Sequence, residues 1–207
     1  MFALSTDDLR LPILGCGDGP SSFNAEVTAQ NGFVVSIDPV YQFTKDEIGQ
    51  RISESAGTVL EQVALNRDNF VWDNIGSVKE LENVRMSAMA TFLEDYEPGR
   101  EERRYIEASL PDLPFEDKRF NLVLCSHFLF LYSEHFDLDF HLNAVLEMCR
   151  VGNEIRIFPL LDLTGNRSNY LEPLIQKLEQ NGHRCQIETV DYEFQKGGNQ
   201  MLKVTCA

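Results

Sequence analysis

Positive charge is scarce in this chain. Lysine and arginine number 18 against 33 aspartates and glutamates, a net charge of −15 at neutral pH. A surface that acidic repels phosphate backbones, so nucleic acid is excluded as an expected partner. The chain also lacks a C-x-x-C pair. Its cysteines stand at 16, 125, 149, 185 and 206, an odd and scattered set. That pattern fits reduced thiols rather than a disulfide framework, and by spacing no metal site is expected. No apolar run approaches membrane-spanning length. The first residues hold Asp7, Asp8 and Arg10 and no apolar core of signal length. These absences point to a soluble, cytoplasmic protein with no membrane partner. There is no internal repeat or low-complexity tract, and Trp72 is the only tryptophan.

What is present suits one domain over 1–207, long enough to bury a single core. The most informative stretch is ILGCGDGPSSF, Ile13 to Phe23, with Gly15, Gly17 and Gly19 at alternate positions. An apolar run leads in and small polar residues lead out. Such glycines let a chain turn tightly after a strand and let a ligand approach the main chain. A second apolar run, Phe33 to Ile37, ends in Asp38. An acid at the tip of the second strand, roughly 20 residues past the glycines, is where α/β nucleotide folds hold ribose hydroxyls. A dinucleotide fingerprint G-x-G-x-x-G would need glycine where Pro20 stands.

The G-x-G-x-G loop instead resembles motif I of the class I S-adenosylmethionine (SAM) dependent methyltransferases. Two further stretches carry the likeness. SLPDLPFEDKRFNLVLCSHFLFLY, Ser109 to Tyr132, resembles the family segment around strands three and four. LEMCRV, Leu146 to Val151, resembles its following helix, which ends E-x-x-R-V. The resemblance implies a Rossmann-like doubly wound α/β sheet, mostly parallel, closed by a C-terminal hairpin whose seventh strand is antiparallel. It implies SAM as cofactor and methyl transfer to an oxygen, nitrogen or carbon of a small-molecule acceptor. It leaves a second possibility, a SAM- or nucleoside-binding regulatory module without catalysis.

Periodicity agrees with that fold. Strands are expected at 11–14, 33–37, 104–109, 120–125 and 154–160, helices at 22–31, 139–150 and 168–181, and two strands around Gly197 and Gly198. Between Asp38 and strand three lie about 65 residues, far more than an α/β connection needs. Helical patterns at 45–64 and 77–95 flank Trp72. The segment 42–103 is therefore expected to be a helical cap over the carboxyl ends of the strands, with packing helices at a sheet edge as the alternative.

The expected cofactor ligands are Gly15, Gly17, Asp18, Gly19, Asp38, Pro39, Ser109, Leu110 and Ser126. The family's motif I acid is missing in either register of the loop: Ile13 or Gly15 occupies its place. Asp18 could substitute, or could be a surface turn residue. Tyr41 could stack on adenine or belong to the core. Ser109 aligns with the family's adenine-binding acid, with the Leu110 N–H beside it and Glu107 as competitor. His127 is the candidate general base or else a histidine that structures the loop; Trp72 and Tyr132 are candidate acceptor-binding residues, with a core role as the alternative for Trp72. His135 and His141 are expected at a solvated helix start. Arg100, Arg103 and Arg104 are expected in surface pairs with Glu97, Glu101 and Glu102, with contact to a substrate carboxylate or phosphate as the alternative.

Overall fold

A computed structural model describes residues 1–207. Its centre is a seven-stranded sheet built from β1 (Pro12–Cys16), β2 (Phe33–Ile37), β3 (Tyr105–Ile106), β4 (Phe120–Ser126), β5 (Gly152–Phe158), β6 (Arg184–Thr189) and β7 (Gln200–Thr205). The spatial order is β3-β2-β1-β4-β5-β7-β6. β1 pairs in parallel with β2 and β4, and β4 with β5. β7 runs antiparallel to both β5 and β6. The order reverses beside β1, and that switch point is where α/β sheets open a ligand crevice. The central strands read as unbroken apolar runs because helices cover both faces. Ile13, Leu14, Val123 and Ile155 are fully buried.

Helices α1 (Phe23–Ala29), α4 (Leu138–Val151) and α5 (Leu171–Gln180) flank the sheet. α1 is shorter than expected, and β3 keeps only two residues of the expected six. The reason for the latter lies in its partner. β2 ends at Ile37, opposite Ile106, and Pro39 then starts a tight turn that offers no further ladder. The E-x-x-R-V pattern in α4 has a physical explanation. Glu147 accepts the Leu113 N–H at 2.8 Å and pairs with Arg150 at 2.7 Å. Arg150 donates to the carbonyls of Leu113 and Phe115, so the pair pins the LPF turn beside β4.

Two long helices fill the segment between β2 and β3: α2 (Lys45–Leu65) and α3 (Val78–Glu101). Thr44 and Glu47 form a reciprocal capping box at the start of α2, and Ser77 caps α3. α3 runs past its apolar pattern and through Pro98, whose missing N–H costs only one bond near the helix end. Tyr41, Ile48, Ile52, Phe92, Tyr96 and Tyr105 form a separate cluster that fixes the helices to the sheet edge. Tyr41 is 1% exposed and surrounded by the rings of Phe92, Tyr96 and Tyr105. It is therefore a core residue, unable to stack on a ligand.

Two further expectations are corrected. Arg104 is buried rather than on the surface. Its guanidinium makes a bidentate pair with Asp95 of α3 at 2.6 and 2.7 Å and also meets Glu102 and Asn24. The left-handed backbone at Arg103 (φ 58°) turns the chain sharply enough to bring it there. His141 is fully buried, with its two ring nitrogens against the carbonyls of Asp137 and Leu129 at 2.7 and 3.0 Å. It ties the loop after β4 to the first turn of α4. Removing Asp95 takes away the bidentate partner of a buried guanidinium and leaves it only the exposed Glu102, so the cost approaches the roughly 3–5 kcal/mol of a broken buried pair. Asp95→Ala should lose that much in urea denaturation. A loss under about 1 kcal/mol would show that Arg104 finds water instead.

Candidate active site

The loop after β1 lies over the carboxyl ends of β1 and β2. Gly17 and Asp18 donate their N–H groups to the Ile37 carbonyl at 2.9 and 3.4 Å. Gly15 is still in the strand, and the turn begins at Gly17 (φ +69°) and continues at Gly19 (φ +54°). Both later glycines hold left-handed backbone that side chains rarely adopt. At Gly17 the space a Cβ would take is filled by Phe128, 3.0 Å away, so the close neighbour there is a side chain of this chain.

Asp18 turns back over the strand. A Cβ built on Gly15 would collide with its carboxylate, so the Asp18 side chain occupies the volume that a side chain at 15 would fill. Ser36 of β2 donates to Asp18 Oδ2 at 2.6 Å. Asn24 donates in turn to Ser36 at 3.1 Å, and Arg104 donates to Asn24 at 2.8 Å. A hydrogen-bonded chain thus runs from Asp95 in the inserted helices to the acid in the glycine loop. Asp18 is no surface turn residue. Loss of hydration pushes its pKa up to about 7, opposed by the Ser36 hydrogen bond and reinforced by the Asp38 charge.

Asp38 accepts the Gly19 N–H at 2.9 Å on one oxygen and the Val40 N–H at 2.8 Å on the other. Its pKa is raised by burial, and the two main-chain donors pull the other way. Each oxygen keeps acceptor capacity beyond that one bond. Pro39 is exposed beside it. Tyr41 donates its hydroxyl to the Gly19 carbonyl at 2.7 Å, so the core cluster braces the loop.

At the end of β4, Ser126 Oγ lies 2.9 Å from His127 Nδ1. His127 holds left-handed backbone (φ 51°), a sparsely populated conformation for a side-chain-bearing residue. His127 is an exposed residue at the crevice; crowding of its ring lowers its pKa first, and the charge of the exposed Arg85 second. Arg85 comes from α3, so the inserted helices act electrostatically on this histidine.

A crevice opens beside these groups in two lobes. One of about 560 Å³ lies against residues 1–4, Phe23 and Val190. The other, about 600 Å³, lies between the glycine loop and the insert, with Leu81, Arg85, His127 and Tyr132 in its wall. Asp18, Ser21, Ser126 and Tyr192 border both lobes. Trp72 is not in either wall. It packs edge-on to Phe70 and Phe194, donates to the Arg67 carbonyl at 3.0 Å, and so backs the two phenylalanines that do line the second lobe. Asp38, Ser109 and Leu110 also lie outside both lobes. Ser109 is exposed, and Leu110 is buried in the main core, leaving only its main chain to meet a ligand. Sequence reasoning missed Ser36, Asn24 and Arg85, which carry no motif.

No family model matches the chain. The strand order, the glycine turn and the strand-end acid together define a class I SAM-dependent methyltransferase fold. Solved structures agree. A TehB-like SAM-dependent methyltransferase from Corynebacterium glutamicum is 14% identical, with 95% of this chain and 80% of that one covered, at a TM-score of 0.50. Magnesium protoporphyrin IX methyltransferase from Synechocystis, with bound S-adenosylhomocysteine (SAH), is 10% identical over 97% of this chain and 76% of that one, also at 0.50. The chain belongs to the same family as the uncharacterized protein MJ0045 of Methanocaldococcus jannaschii. The two are 34% identical over 203 residues, 98% of this chain and 89% of that protein. No helix of the structure is long and apolar enough to cross a membrane.

The raised pKa of Asp18 has a consequence for stability. Between about pH 4 and pH 7 the folded chain holds a proton that an unfolded aspartate has shed. That contribution is whole below about pH 4 and is lost as pH climbs through 7. Asp18→Asn cannot ionise and does not lose it. Urea denaturation should show the wild type losing stability relative to Asp18→Asn between pH 5 and pH 8. Parallel curves would contradict the protonated state.

Proposed function

We propose that this protein is a SAM-dependent methyltransferase that acts on a small-molecule acceptor in the cytoplasm, where its five unpaired cysteines suit a reducing milieu. The observation that carries the reading is Asp18. It is an acid held at the ligand end of the sheet by one hydroxyl donor, with its charge uncompensated. A ligand with an adjacent cationic group restores the balance that the protein leaves open. SAM carries an ammonium and a sulfonium, so the residues present fit it. The bound cofactor would supply a methyl group already activated for displacement.

Asp18 would receive the methionine end, in place of the family acid that neither Ile13 nor Gly15 supplies. Asp38 would take the ribose hydroxyls with its remaining lone pairs. Gly17, Gly19 and Pro39 would shape the pocket between them, and Ser109 with the Leu110 main chain would meet the base. Ser126 would lie near the reacting centre. His127, kept neutral by desolvation and Arg85, would accept a proton at a ring nitrogen from the acceptor's hydroxyl or amine. The inserted helices over 42–103 would act as the cap that excludes water and chooses the acceptor. Tyr132 supplies an exposed ring to that wall and Arg85 a cation, which favours an acceptor with a carboxylate or phosphate.

Calorimetry should show binding of SAM or SAH in preference to NAD. Asp38→Ala should weaken it about tenfold to a hundredfold, since a charged hydrogen bond contributes roughly 1.5–3 kcal/mol. NAD binding without either sulfur nucleoside would overturn the reading. SAM binding with no turnover across hydroxyl, amine and carbon acceptors would favour a regulatory module. Among acceptors that react, Arg85→Gln should lower kcat/KM by about tenfold for anionic ones and leave neutral ones unchanged. Equal effects on both would remove Arg85 from acceptor recognition.

A further inference from the structure

Far from the crevice, three soft ligands converge. Cys149 lies near the end of α4, His183 in the turn between α5 and β6, and Cys206 just past β7. The two sulfurs and a ring nitrogen all lie within 4.8 Å of one another. Cys149 is buried and the other two are half-buried. We propose that Cys149, His183 and Cys206 bind a thiophilic divalent cation, zinc by ligand type, with water in the fourth position.

Several independent features support the site. Cys₂His is an established zinc ligand set, and tetrahedral coordination needs ligand atoms a few ångströms apart, converging from one side. The three residues come from different elements that the fold, rather than local sequence, brings together; no C-x-x-C spacing announces them. Two thiolates on one dication leave no net charge, which suits a site beside a buried core. Binding releases two thiol protons to solvent. The Ala207 N–H donates to His183 Nδ1 at 3.2 Å. Ligation through Nδ1 therefore displaces that donor, and ligation through Nε2 moves the ring proton to Nδ1.

The placement suggests a staple. β6 is an edge strand with mostly exposed residues, and it pairs only with β7. A cation shared by α4, the turn before β6 and the end of β7 would tie that hairpin to the main core. Such a role is structural, separate from methyl transfer, and can fail without affecting that reading.

The reduced, metal-free full-length chain should be titrated with Co²⁺ and then Zn²⁺. One equivalent of Co²⁺ should produce a thiolate-to-cobalt charge-transfer absorption and the intense visible bands of tetrahedral coordination, both abolished by Zn²⁺. Zn²⁺ should also raise the melting temperature. His183→Gln and Cys206→Ser should each lose the charge-transfer signal or weaken binding at least tenfold, with wild-type circular dichroism. Cys185→Ser, outside the cluster, should bind as the wild type does. If Cys206→Ser does not fold, His183→Gln at its half-buried position decides alone. No charge-transfer band in the folded wild type, or a full band in His183→Gln, would overturn the proposal. So would a native Cys149–Cys206 disulfide whose reduction yields a chain that takes up no Co²⁺.

Discussion

The fold of the ligand end depends on one contact: the Asp18 carboxylate lying over Gly15. Everything around it is arranged to make that contact possible. Position 15 has no Cβ because one would strike the carboxylate. Gly17 and Gly19 take left-handed backbone so that the turn can bring Asp18 back over the strand. Ser36 faces it from the neighbouring strand, and Asn24 and Arg104 hold Ser36 in turn. The arrangement leaves an acid in a site that favours its neutral form. That is a costly place for a carboxylate unless a cationic group comes to share it.

The same network joins two parts of the chain that sequence alone treats as separate. The helices between β2 and β3 sit at one edge of the sheet, bound there by the aromatic cluster around Tyr41. That tyrosine reaches Gly19 through its hydroxyl, and Asp95 reaches Ser36 through Arg104 and Asn24. Two routes therefore couple the insert to the glycine loop, one through packed rings and one through buried polar groups. In the other direction the insert's Arg85 lines the same lobe as His127 and lowers its pKa. The loop, the histidine and the insert form one electrostatic unit.

Much of the architecture was legible because it rests on local signals. Apolar runs mark β1, β2, β4 and β5, and the helical repeats of the insert mark α2 and α3. The hairpin glycines mark the final pair. The ends that misled did so for tertiary reasons: β3 stops where its partner turns away at Pro39. Asp38 was legible as a strand-end acid, and its hydrogen bonds to Gly19 and Val40 are what hold it there. Asp18 was ambiguous because a turn aspartate and a folded-back acid look alike in sequence; only the neighbouring strand, through Ser36, distinguishes them. Tyr41 was left open between ligand and core, and Arg104 and His141 were misplaced, for a common reason. Each is a polar residue whose partners come from distant segments or from main-chain carbonyls, and burial of that kind leaves no periodic trace. Trp72 was singled out for its size, while Phe70 and Phe194, between it and the crevice, gave no comparable signal.

Asp18, with a pKa of about 7 in the free protein, would ionise to meet the cationic end of SAM under the proposed function. Carbon-13 NMR of labelled aspartates, assigned with Asp18→Asn, reads this directly. The carboxyl carbon of Asp18 should titrate near pH 7 in the free chain, and its midpoint should fall by more than one unit when SAH, whose amino group is cationic, is bound. A midpoint near 4 in the free chain, or one unmoved by saturating SAH, would contradict the account.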